Sequence, residues 1–331
     1  MSSSGLSPSV VEVLDVDPTT DAMWCELVEV RRSDVFHSPA WITVLRDTYG
    51  FDLRARVLLE GDRVVAGLAY ACVDDVFGRR RVSLPFSDFC DPLVDDEAQW
   101  DALTHDLLVE QVPFSFKPLF DDVARQDPRL AEQGRVKWHR ADVTRDPDQM
   151  WSDLHASARR AVRKAEKAGV TVRSAEGVAD MRRFFELHLR TRKQKYALLA
   201  QPWPFFEAIW NAFMAEDRGH LLLAEVDERI IAGVVYLRWK DTLDYKFNAS
   251  ESGALDLRPN DLIMWEGLGL AHGAGASWVD FGVSDVDQDG LIRYKQKYAT
   301  EEGEVLVLKR ILDADPHRRP RDPFSVRSRI C

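Results

Sequence analysis

The sequence has few of the features that announce a chain's chemistry at sight. Its four cysteines, Cys25, Cys72, Cys90 and Cys331, form no CxxC pair and no metal-ligand spacing. That argues against a disulfide framework or a zinc site and points to a reducing, cytoplasmic setting. Met1 to Leu14 lacks a basic stretch followed by an apolar one, so no secretory leader is expected. The most apolar runs, such as Leu221–Val226, fall far short of the roughly 20 residues of a membrane span. No obvious sequence repeat links the two halves. Nothing in the sequence fixes an oligomeric state.

An excess of positive charge is also missing, since the net charge is −11. The deficit is uneven. Ser157 to Lys195 holds 12 Lys/Arg against 4 Asp/Glu, a local +8 that leaves −19 for the remainder. Such a chain does not attract polyanions through its total charge, but a concentrated basic face binds phosphates locally.

What is present is an ordinary globular composition, 45% hydrophobic and 30% charged over 331 residues, enough for about two domains. Residues 1–20 are Ser/Pro-rich and read as loosely held. A helix is expected over Asp21–Arg31. Another is capped by Ser38 with Pro39 in its first turn and ends at Gly50. Strands at Arg54–Leu59 and Val64–Cys72 are joined by the Gly61-Asp62 turn, and Arg81–Leu84 and a helix over Trp100–Val109 follow. A boundary falls near Thr144–Gln149, where Asp146, Pro147 and Gln149 announce a helix running to about Ala168. Helices at Met181–Lys195 and Pro204–Glu216 precede strands at His220–Val226, Ile230–Trp239 and Thr242–Ala249. Then come a helix over Asn260–His272, a strand at Trp278–Val283 and a last strand at Val305–Arg310. The fold class is α/β, with helices ahead of strands in each half.

Several stretches then carry a family likeness, each weak alone and specific in order and spacing. They are His37–Trp41, Ser83–Asp88, Ala158–Gly169, His188–Lys193, Gln201-Pro202, Phe205-Phe206, Tyr245–Ser250, Arg258-Pro259-Asn260, Asp280-Phe281-Gly282 and Gly290–Tyr298. Over most of the chain this resembles the Fem-type (FemABX) peptidyltransferases and their GNAT-like relatives in the acetyltransferase superfamily. The resemblance implies two tandem GNAT-like domains with mixed central sheets and a groove between them. Residues 1–145 would form the acceptor side, completed by the tail 312–331, and residues 146–311 the donor and catalytic side. The long helical arm of some family members is absent. The implied reaction is metal-free transfer of an activated acyl group to an amine. In the best-known members the donor is aminoacyl-tRNA and the acceptor a cell-wall precursor; other relatives act on small molecules or polysaccharides.

Residue by residue, Lys295 is the first candidate. The family pattern places a Lys after an aromatic here, and Tyr294-Lys295 fits with Tyr where Phe is commoner. Aminolysis of an ester develops an oxyanion, which a fixed ammonium stabilises; otherwise Lys295 is one cation of a basic turn. Tyr245 and Asn248 lie on a strand expected to face the groove, where a phenol can orient an amine or relay a proton, or simply pack. Arg192 suits bidentate phosphate or carboxylate contacts, or is a helix-surface arginine. Trp41, Phe86 and Asp88 are placed on the acceptor side, with Phe86 equally able to plug a turn. Arg159, Arg160, Arg163, Lys164 and Lys167 form a basic helix face suited to tRNA phosphates, or a solvated face. His188 reads as a core histidine.

Two motifs mislead. Asp280-Phe281-Gly282 has no kinase companions. Asp285–Gly290 starts like a calcium loop but has Gln296 where Glu is required. Coenzyme A is the rival donor, and its pyrophosphate usually sits on a glycine-rich turn at a helix N-terminus. Here that turn reads Leu257-Arg258-Pro259-Asn260-Asp261, without glycine, with one amide removed and a carboxylate added. An aminoacyl-tRNA donor with no bound cofactor is expected, with acyl-CoA use or a non-catalytic peptide- or glycan-binding role as alternatives.

Overall fold

The structure is a computed structural model that describes residues 11–76, 78–193 and 199–312; the tail assigned above to the first domain lies outside them beyond Leu312. The chain divides into two units. One runs up to Gly134 and regains the chain at Leu306, and the other is Arg135–Val305. The division falls inside a strand, ahead of the boundary at 145/146 read from the sequence.

The first unit begins with β1 (Val11–Val16), α1 (Ala22–Val30) and α2 (Pro39–Tyr49). The meander β2 (Asp52–Glu60), β3 (Arg63–Asp75) and β4 (Gly78–Val82) follows. Then come α3 (Glu97–Val109), β5 (Phe114–Phe116), α4 (Val123–Gln126) and the start of β6 (Leu130–Asp142). The α2 signals act as read: Ser38 Oγ accepts from the Trp41 N–H at 3.2 Å, and Gly50 takes φ +66° as the C-cap. Residues 11–16 are not loose. They pair antiparallel with β2, Val11 opposite Glu60, as an edge strand. Trp100, Leu103 and Leu107 of α3 pack on Tyr70, Phe114 and Phe116 in the core of this unit. Each buried ring removes roughly 150–250 Å² from water, about 4–6 kcal/mol of gross stabilisation.

One buried carboxyl in this unit stands apart. Asp91 Oδ1 accepts three backbone N–H groups, from Leu119, Phe120 and Asp121, at 2.8–2.9 Å. Its other oxygen has no partner among the described residues. Burial pushes this carboxyl up to about 6, against the pull of those amides.

The second unit holds the rest of β6, then α5 (Pro147–Asp153), α6 (Ala156–Lys167), β7 (Thr171–Ser174), α7 (Val178–Thr191) and α8 (Trp203–Ile209). It continues with β8 (Gly219–Val226), β9 (Arg229–Trp239), β10 (Thr242–Ser250), α9 (Pro259–Gly273), β11 (Trp278–Asp285), α10 (Asp289–Gln296) and the start of β12 (Glu301–Arg310), which from Leu306 belongs to the first unit. The strand order is β6-β11-β10-β9-β8-β7. The helix read as continuous from Asp146 to Ala168 is two helices. Leu154 and His155 are both extended, with ψ 143° and 138°, and His155 donates its N–H to the Lys297 carbonyl at 3.2 Å. The helix read over Pro204–Glu216 loosens into wider turns at Trp210–Met214. No helix among the described residues is long and apolar enough to cross a membrane.

The feature that positions the site is a fork. β10 and β11 pair in parallel only at Thr242–Trp278, Leu243–Val279 and Asp244–Asp280. At that point both strands change register against their other neighbours, β10 between Tyr245 and Phe247 and β11 between Asp280 and Val283. Such bulges bend strands and re-aim side chains. Gly282, at φ +64°, lies in the β11 bulge, and Asp280 clamps it by accepting from the Gly282 N–H at 2.6 Å and the Trp138 indole at 2.7 Å. The Asp280-Phe281-Gly282 triplet is therefore a strand-bending device.

Candidate active site

Lys295 lies in α10, a helix and not the turn expected from the sequence. Its side chain returns to the fork. Nζ donates to the carbonyls of Gly282 at 3.1 Å and Val283 at 2.8 Å, and the residue is only 5% exposed. A bulge leaves strand carbonyls without ladder partners, and a buried ammonium needs acceptors, so each answers the other.

Four tyrosines cluster where β10, α9 and α10 meet. Tyr245, on β10 at the fork, packs edge-on against buried Tyr236, ring centroids 5.5 Å apart. Tyr294 donates its hydroxyl to the Asn260 carbonyl at 2.9 Å, and Tyr298 donates to Asp261 Oδ1 at 2.7 Å. Burial pushes both phenols well above their ordinary range, and the Asp261 charge adds to this. They act as donors. Asn248 Nδ2 donates to Asn260 Oδ1 at 3.2 Å, tying β10 to the first turn of α9. Gly267 is required by the same cluster: a Cβ there would lie 2.1 Å from the Tyr236 hydroxyl. Thus Lys295, Tyr294, Tyr245 and Asn248 all belong to the region where β10, β11, α9 and α10 meet.

The start of α9 is closed. Pro259 occupies its first position and offers no N–H; Arg258 is the cap residue at φ +63° and makes no capping side-chain bond. Asp261, 5% exposed, brings a carboxylate into the first turn, with Lys297 Nζ 4.0 Å away. Helix N-termini attract anions, and this one already holds one.

The remaining candidates lie elsewhere. Arg192 is at the C-terminal end of α7, its guanidinium 3.4 Å from the Leu199 carbonyl. His188 is a core residue, with Nε2 3.1 Å from Gln201 Oε1 and the Phe206 ring 5.0 Å away. Within the basic helix, Arg159 is committed to structure. Its Nη1 donates to the carbonyls of Trp151, Ser152 and Leu154, closing the end of α5. Arg160, Arg163, Lys164 and Lys167 are exposed. In the first unit Trp41 is 0% exposed and donates to Ser87 Oγ at 2.9 Å, so it braces the 83–89 loop and offers no surface. Asp88 is buried. Phe86, at φ +59°, is half-buried and stacks on Tyr49 at 4.7 Å.

One residue escaped the sequence reading. His139 on β6 is 0% exposed, and neither ring nitrogen has a hydrogen-bond partner among the described residues. Burial drives its pKa down to about 4, and the nearby Lys295 ammonium adds to the depression. Its sequence neighbourhood carries no motif, so no signal marked it.

Residues 152–298 match the family described as Acetyltransferase (GNAT) domain. FemX superposes with a TM-score of 0.69 at 15% identity, covering 89% of this chain and 96% of FemX. L-PGS from Bacillus licheniformis gives 0.57 at 12%, covering 90% and 94%. A tandem GNAT protein from the clavulanic acid biosynthesis pathway gives 0.55 at 12%, covering 91% and 98%. No curated protein matches the chain. The second unit thus contains the stretch that matches a GNAT-domain model, the described chain has a fold like that of FemX, and the Fem-type, GNAT-like resemblance is supported. Together they support an acyl-transferring class.

Proposed function

We propose that the protein is an aminoacyltransferase that moves an aminoacyl group from aminoacyl-tRNA to the amine of a small-molecule or cell-wall-type acceptor. The observation that carries this reading is the closed first turn of α9. A coenzyme A pyrophosphate there would meet the buried Asp261 carboxylate and a proline without an amide. A ribose ester carries no pyrophosphate and makes no such demand. The acceptor amine attacks the ester carbonyl, the C–N bond forms, and the ribose oxygen leaves with a proton. Lys295 steadies the oxyanion and Tyr245 orients the amine. Arg160, Arg163, Lys164 and Lys167 supply a basic face for tRNA phosphates, and Arg192 and Phe86 remain candidates for acceptor contacts. The protein would work in the cytoplasm without a bound cofactor.

The test is transfer from charged tRNA to a panel of amines, with and without ribonuclease, beside parallel reactions with acyl-CoA. Ribonuclease-sensitive amide formation is expected. Transfer that survives ribonuclease, or that needs acyl-CoA, would overturn the tRNA donor.

A further inference from the structure

The mechanism above leaves Lys295 with a difficulty. Its ammonium is already held by the Gly282 and Val283 carbonyls. To meet an oxyanion it must loosen that hold while buried, and a buried cation without enough acceptors is strongly disfavoured.

The structure offers a further acceptor. On β6, Trp138 pairs with Val283 and Arg140 with Asp280, so His139 is the residue opposite the bulge whose carbonyls hold Lys295. Its ring is wholly buried and neither nitrogen has a hydrogen-bond partner among the described residues, a rare condition for an imidazole. Three charged groups act on it electrostatically: Lys295 of α10, Glu302 of β12 and Lys137 of its own strand. The Glu302 carboxylate is 3.7 Å from Nε2, beyond hydrogen-bond reach. A neutral imidazole always keeps one nitrogen as an acceptor.

We propose that His139 is a positioning residue for Lys295, whose uncharged imidazole accepts the ammonium as it leaves the Gly282 and Val283 carbonyls for the reacting acyl group. This rests on the transferase reading, in which Lys295 acts on that group. His139 itself does not touch substrate. Its neutrality matters as much as its lone pair, because a second cation opposite the bulge would drive the ammonium away.

The test uses the full chain with His139→Leu, which keeps bulk and removes the acceptor, and His139→Gln, which restores one. His139→Leu is expected to lower kcat about tenfold with little change in KM, and to move the alkaline limb of the pH–rate profile to lower pH. His139→Gln should recover most of both. A folded His139→Leu chain with the wild-type kcat and pH profile would overturn the proposal. An independent arm follows the His139 imidazole by NMR titration. In Lys295→Met its midpoint should rise, since the repelling cation is gone; an unchanged midpoint overturns the pairing even if His139→Leu does not fold. A wild type inactive with every donor would overturn the transferase reading alone, while the titration would still decide the pairing.

Discussion

The hydroxyl of Tyr298 lies 2.7 Å from Asp261 Oδ1, and this bond supplies a donor to a carboxylate buried in the first turn of α9. Tyr298→Phe removes the donor and keeps the ring. It is expected to destabilise the protein by about 1–3 kcal/mol, the usual effect of leaving a buried charged acceptor short of a partner. Thermal or urea unfolding checks this, and an unchanged midpoint would remove the tyrosine from the account of that helix end.

In the proposed reaction Lys295 acts on the oxyanion while it also ties two strand carbonyls, and Lys295→Met separates the two parts. Transfer should fall by roughly 100-fold or more, the scale on which single oxyanion-stabilising donors act. Stability should fall by about 1–3 kcal/mol, since two strand carbonyls lose their donor. Single-turnover rates and urea unfolding on the same preparation measure the two effects. A stable variant with full activity would contradict both.

The basic helix should split by residue. Arg159→Ala is expected to lower stability by about 1–2 kcal/mol, because three carbonyls at the end of α5 lose their shared donor. Alanine at Arg160, Arg163, Lys164 or Lys167 should change stability by less than about 0.5 kcal/mol. Each should instead weaken tRNA binding and reduce its salt dependence by about one counterion. Filter binding over a salt series distinguishes the two groups.

Asp91 predicts a pH signature of the first unit. Folding raises its pKa from 3.8 to about 6, so the folded chain favours the protonated carboxyl. Its contribution to stability is largest below about pH 4 and falls as the pH rises through about 6. Asp91→Asn cannot ionise. Its stability relative to wild type should therefore improve by roughly 2–3 kcal/mol between pH 4 and pH 8. Unfolding curves at both pH values test the sign as well as the size.

Much of the fold was legible because its signals are local. Ser38, Pro39 and Gly50 bracket α2, and the Gly61 turn at φ +64° joins β2 to β3 as read. The edge strand β1 and the long strand β6 were missed, since their pairing comes from distant segments and their own patterns are irregular. The break between α5 and α6 was hidden by a continuous apolar stripe; it is fixed by Arg159 and by a carbonyl at Lys297. At the site, the sequence named Lys295, Tyr294, Tyr245 and Asn248 but not the bulges that gather them. Burial was the least legible property. It removes Trp41 from any ligand surface and sets His139 opposite the bulge whose carbonyls hold Lys295, and both follow only from packing.

The path of β6 also bears on how the second unit can be isolated. A fragment cut at Pro147, where the helical signal begins, would lack the strand that pairs with β11 from Trp278 to Asp285. The unpaired edge of β11 would then be open to strands of other copies, and such a fragment should aggregate. One starting near Gly134 keeps that edge covered and keeps His139 in place.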